Sequence, residues 1–71
     1  MTISEISKEL SDRLMILTNV ISISHNDTNI WIDVANKDCK YNLTKYIDEY
    51  KKAYPNIAFE FRIVGRPKAY Y

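Results

Sequence analysis

The spacing of apolar residues along this chain switches between a helical and an alternating period, and no other feature limits its fold so strongly. Ile3, Ile6, Leu10, Leu14 and Leu17 lie three or four apart, on one stripe of a helix. From Val20 to Ser24 the period becomes two, with Ile21 and Ile23 toward one side and Ser22 and Ser24 toward the other. It stays two through Ile30-Trp31-Ile32-Asp33-Val34, which sets Ile30, Ile32 and Val34 on one face and Trp31 and Asp33 on the opposite one. Leu43, Ile47, Tyr50 and Tyr54 return to a helical stripe, with Tyr46 at its edge. Finally Ile57, Phe59, Phe61 and Ile63 alternate with Ala58, Glu60, Arg62 and Val64. The order is helix, strand, strand, helix, strand, and every element has one apolar side.

Local signals set the boundaries. Thr2-Ile3-Ser4-Glu5 fits a capping box, so the first helix is expected from about residue 3 to 17. Met15 and Ile16 fall off its stripe, so either the following turn covers them, which is the simpler expectation, or they face a partner. The polar segment His25 to Asn29 contains no Gly, which predicts a hairpin loop of four or five residues rather than a tight two-residue turn. Residues 35–41 read as a polar loop and Asn42 as the cap of the second helix, which Pro55-Asn56 stops. Gly65 and Pro67 end the last strand.

Elements with one apolar face pack most economically as two helices on one face of a three-stranded sheet. The expected fold is therefore α+β: a single αββαβ domain over residues 1–65, with two helices on one face of a mixed sheet and the other face open. A right-handed crossover through the second helix makes the third strand parallel to the second. Whether it lies beside the second strand or the first is left undecided. Residues 66–71, Arg-Pro-Lys-Ala-Tyr-Tyr, form a basic and aromatic tail.

Several activities are excluded by what the 71 residues contain. One Gly rules out a phosphate-cradling glycine loop, and one Cys with one His cannot make a Cys/His zinc site. Neither cofactor nor metal is expected. Ten basic against nine acidic residues give a net charge of +1, too little for a general attraction to nucleic acid or acidic lipid. The first residues lack the pattern of a secretory signal and the longest apolar run is only Leu14 to Leu17, so a cytoplasmic protein without a membrane segment is expected. Ile, Lys, Asn and Tyr supply 29 of the 71 residues, the bias of an AT-rich genome.

The predicted open sheet face presents Ser22, Ser24, Trp31, Asp33, Glu60 and Arg62. A large aromatic there lacks internal cover, and Trp and Arg are the residue types that most often anchor interfaces. Two accounts stand: Trp31 and Arg62 stack on each other, Arg62 pairing with Asp33 or Glu60, or the face receives a partner. Tyr50 and Tyr54 are expected in the core with their hydroxyls reaching the rim, whereas Tyr46, Tyr70 and Tyr71 are freer. Arg66 and Lys68 add charge beside the terminal tyrosines. His25 and Asp27 share one turn, where solvation is the simpler role. Cys39 has neither a CxxC partner nor a nearby His and reads as an idle loop thiol.

Over Thr18 to Pro67 the chain resembles the cytosolic C-terminal domain of cation-diffusion-facilitator transporters. The likeness lies in Asn19-Val20-Ile21-Ser22, in Trp31-Ile32-Asp33-Val34, in the Pro55-Asn56 break and in the last strand ending before Pro67. The element order also looks like that of the ring-building modules of bacterial secretion systems. Both resemblances imply an assembly module that tends to dimerise. The transporter family's metal-binding histidines are not retained, since only His25 lies near the first hairpin and Arg62 occupies the last strand.

The expected function is a non-enzymatic protein-binding module that acts by occupancy. One version is a phage or mobile-element inhibitor of a host factor, another a self-associating homodimer. Its binding residues would be Trp31, Asp33, Glu60, Arg62, Arg66, Lys68, Tyr70 and Tyr71. The alternative is a single-stranded nucleic-acid binder using the same open face. No nucleophile with a base and a positioning residue can be named, so an enzyme is not expected.

Overall fold

In a computed structural model describing residues 2–17 and 19–65, the elements run α1 (Ile3–Leu14), β1 (Val20–His25), β2 (Asn29–Val34), α2 (Lys37–Ala53) and β3 (Ala58–Ile63). The sheet order is β1-β2-β3, with β1 and β2 antiparallel and β2 and β3 parallel. The third strand thus lies beside the second. Both helices pack on the same face, α1 over β1 and β2, α2 over β2 and β3. The α+β expectation, a mixed three-stranded sheet under two helices, is met.

The capping box of α1 forms as the sequence suggests. The Glu5 amide donates to Thr2 Oγ1 at 3.2 Å and the Thr2 amide donates back to Glu5 Oε1 at 3.0 Å. These two bonds occupy groups that a helix start leaves unpaired. The helix ends at Leu14, however, one turn before residue 17. Leu17 is already largely exposed, and the chain reverses through Leu17 N–H to Leu14 O and Val20 N–H to Leu17 O to begin β1. Met15 is half-buried against the core, whereas Ile16 is 81 % exposed and lacks the cover expected from the following turn.

In the hairpin, Asn26 Oδ1 accepts from the amides of Thr28 at 2.9 Å and Asn29 at 2.7 Å. This side-chain turn closes the connection in three residues, Asn26 to Thr28, shorter than the four or five expected. At the other end of β1 the register slips: Val20 faces Val34 and Ser22 faces Asp33, leaving Ile21 as an extra residue. The bulge brings Val20 as well as Ile23 to the core side, which strict alternation would not do. Ile21 stays half-buried.

The largest departure is the start of α2. Residues 37–41 are helical, not a loop, and the cap is Asn36, whose Oδ1 accepts from the Cys39 amide at 2.9 Å. Asn42 lies inside the helix. The early part of α2 buries little: Tyr41 is 82 % exposed and Cys39 half-buried. A helix start with so few apolar residues carries no periodic signal.

The core gathers Ile6, Leu10 and Leu14 of α1, Val20, Ile30, Ile32 and Val34 of the hairpin, Leu43, Ile47 and Tyr50 of α2, and Phe59 of β3. Most of these are the apolar residues that the two periodicities select. Val34 is followed by Ala35, also buried, as the chain leaves the sheet for the Asn36 cap. Among the described residues, no helix is long and apolar enough to cross a membrane.

Candidate functional site

The outer face of the sheet is ordered by register. Ser22, Asp33 and Arg62 form one row across the three strands, and Ser24, Trp31 and Glu60 the next. Because side chains on one face recur every second residue, these rows are neighbours. Trp31, Asp33, Glu60 and Arg62, four of the expected binding residues, are therefore brought together. Arg66, Lys68, Tyr70 and Tyr71 lie outside the described residues.

Asp33 is the centre of the arrangement. Arg62 Nε donates to its Oδ1 at 2.6 Å and Nη2 to its Oδ2 at 3.1 Å, a two-pronged pair, while Ser22 Oγ donates to Oδ2 at 2.8 Å. Burial pushes the Asp33 carboxyl up, but the bonds from Arg62 and Ser22 outweigh it and hold the group below the ordinary aspartate value. The same pairing carries the Arg62 guanidinium across the Trp31 ring, 5.5 Å from its centroid. That distance is within cation–π reach. On the next row Asn29 Nδ2 donates to Glu60 Oε2 at 2.9 Å.

The stacking of Trp31 and Arg62, and the pairing of Arg62 with Asp33, are thus present within the chain. They bury the face only in part, leaving Trp31 half-buried. The Asp33 side chain is 13 % exposed, the Arg62 side chain 52 %, and Glu60 and Ser24 lie open. The sequence places Ser22 on this face but not as a partner of Asp33, and Asn29 reads there as part of the turn. Their roles depend on which residues stand opposite Asp33 and Glu60, and register across three strands is not readable from a pattern of two.

A second polar cluster joins the helices. Arg13 Nη1 donates to the Tyr46 hydroxyl at 3.3 Å and Arg13 Nη2 pairs with Glu9 at 2.9 Å. Tyr46, expected to be freer, is packed against the core beside Tyr50, ring centroids 5.6 Å apart. Tyr50 is buried to its tip rather than reaching the rim, and its hydroxyl has no hydrogen-bond partner. Burial accordingly pushes the Tyr50 phenol well above its usual range. Tyr54 is half-buried against the same core. His25, expected in the turn, ends β1 opposite Ile30 while Asp27 lies in the connection, both exposed, and burial raises the Cys39 thiol, which makes it a poorer nucleophile at neutral pH. Among the described residues no three His, Cys, Asp or Glu side chains gather as a metal site would need.

The chain matches no protein-family model, no curated protein and no solved structure.

Proposed function

We propose that this protein is a small protein-binding module, non-enzymatic and acting by occupancy, that docks through the outer face of its sheet. The observation that carries this is the fixed Trp31–Arg62–Asp33–Ser22 cluster on a face that no described element covers. Asp33 holds Arg62 in place before any partner arrives, so little side-chain freedom remains to be lost on binding. An aromatic and a guanidinium offered in fixed geometry are the usual anchors of an interface.

The charge of the face favours a protein over a nucleic acid. Among the described residues of the face, Asp33 and Glu60 contribute two carboxylates against the one guanidinium of Arg62, and that guanidinium is already paired. A phosphate backbone would meet a net negative surface. The fitting partner places an apolar side chain on Trp31 and a basic one near Glu60. The setting that agrees with the AT-rich residue bias is the cytoplasm of a host cell, with the protein carried by a phage or mobile element and blocking a host factor. The shared element order with assembly modules points to the same class of activity, binding without chemistry.

The test places a photo-crosslinking residue at Ser24, beside Trp31, and a control at Lys8 on the far side of α1. A partner captured from Ser24 but not Lys8, and lost in the Trp31→Ala, Arg62→Ala double variant, supports docking on this face. Capture that survives the double variant unchanged refutes it. Oligonucleotide binding that weakens steeply with salt and needs Trp31 would replace it with the single-stranded nucleic-acid reading.

A further inference from the structure

The two edges of the sheet are not alike. β1 is interrupted by the bulge at Ile21, a device that spoils an edge for further pairing. β3 pairs with β2 without interruption from Ala58 to Ile63, contains no Pro or bulge, and carries two charges of opposite sign, Glu60 and Arg62. The amides of Ala58 and Val64 donate inward, to Thr28 O and Val34 O. Since successive residues of a strand point their backbone groups to opposite sides, Phe59, Phe61 and Ile63 present theirs to the edge that no described strand pairs. Beside that edge Ile63 and Tyr41 are exposed and line an open groove of about 290 Å³ with Lys37, Lys40 and Thr44.

We infer that β3 pairs antiparallel with β3 of a second copy of this chain, about a two-fold axis at Phe61. The sequence of the strand is complementary to its own reverse in that register. Phe61 faces Phe61 of the second copy, Phe59 faces Ile63, and Glu60 faces Arg62. The first two are pairs of outward-pointing residues, so each exchanges both of its backbone hydrogen bonds. Glu60 and Arg62 then fall at the intervening positions, where side chains approach closest, with unlike charges opposed. A shift by one residue sets outward groups against inward ones. A shift by two places Glu60 against Glu60, or Arg62 against Arg62, and like charges directly opposite are unfavourable. Backbone phase and charge therefore select the same register.

The product is a six-stranded sheet, β1-β2-β3-β3-β2-β1, with all four helices on one face. The axis stands perpendicular to the sheet, so the two outer faces merge into one. Trp31 takes no part in the pairing. The dimer shares Glu60 and Arg62 with the proposed docking face, leaves Trp31 and Ser22 outside the pairing, and doubles that face.

Sedimentation velocity over a dilution series, with amide exchange read residue by residue, tests the inference. The expected result is a reversible dimer in which the amides of Phe59, Phe61 and Ile63 gain protection as the dimer fills. Those of Ala58, Glu60, Arg62 and Val64 are protected at every concentration, and Trp31 emission does not change. A chain that is monomeric up to its solubility limit overturns the inference. So does a dimer that leaves the three outward amides unprotected or shifts Trp31 emission to the blue. Glu60→Arg and Arg62→Glu should each weaken the dimer about tenfold or more, and their mixture should restore it, because each then opposes the other's charges. Should Arg62→Glu fail to fold beside Asp33, Ile63→Pro serves as the second variant. It removes an amide from the free edge and none from the β2 ladder, so a folded monomer is expected. An undiminished Ile63→Pro dimer contradicts the pairing.

Discussion

Breaking the pair between Asp33 and Arg62 tests the physical basis of the outer face most directly. The interaction is two-pronged and one partner is nearly covered, both of which strengthen it beyond an ordinary surface pair. The Arg62 side chain is more than half exposed, so solvent screening brings it back toward the ordinary range. The expected coupling in a double-mutant cycle of Asp33→Ala and Arg62→Ala is about 1 kcal/mol. Urea unfolding of the four proteins, at one ionic strength and at a protein concentration well below that of self-association, measures it. Because the folded carboxyl titrates below its unfolded value, its contribution is fully present above the unfolded pKa of about 3.9 and is lost as pH falls through the lowered folded value. The advantage of wild type over Asp33→Asn should accordingly be flat through neutral pH and shrink below about pH 4. A coupling near zero, or an advantage that grows on acidification, would refute the account of Asp33 as a charged hub that fixes Arg62 over Trp31.

Three further outcomes follow from the packing. Asn36→Ala should cost about 1 kcal/mol by removing the cap of α2, whereas Asn42→Ala, inside the helix and exposed, should change thermal stability little. Ile32→Ala, at a fully buried site between the helices and the sheet, should cost about 2–5 kcal/mol in urea, while Ile16→Ala should fall within about 0.5 kcal/mol of wild type. Tyr50→Phe removes a buried hydroxyl that has no hydrogen-bond partner, so calorimetry should find the variant as stable as wild type or more so.

How far the sequence disclosed this fold depended on whether a residue's role was periodic. Ile30, Ile32 and Val34 lie on the buried face that alternation assigns them, and Ile6, Leu10, Ile47 and Tyr50 on the helical stripes. The start of α2 was hidden because Lys37 to Asn42 contribute almost nothing to the core; its signal was a lone Asn36, and an asparagine is as common in turns as at caps. The bulge at Ile21 was hidden because every residue of Val20-Ile21-Ser22-Ile23 suits a strand, and only pairing with β2 reveals which one is surplus. For the outer face, alternation placed Trp31, Asp33, Glu60 and Arg62 together. The partners Ser22 and Asn29 needed the register, which long-range packing decides.

The two edges and the outer face complete one argument about why so small a sheet is built this way. Three strands bury one face under two helices and leave three surfaces: two edges and a face. A monomer under selection only to remain single would blunt both edges, and here the bulge on β1 treats one alone. The other carries Glu60 and Arg62 two residues apart, an arrangement that self-pairing satisfies at a single register. Arg62 also holds the Asp33 pair on β2, so one side chain links the row of the outer face to the edge beside it. Pairing at the edge would then hold the guanidinium between Asp33 and Glu60 of the second copy, stiffening the plate on which Trp31 lies. On that logic the variants separate cleanly: Ile63→Pro removes the dimer and leaves the Asp33–Arg62 coupling intact, whereas Asp33→Ala abolishes that coupling and, by loosening Arg62, weakens the dimer.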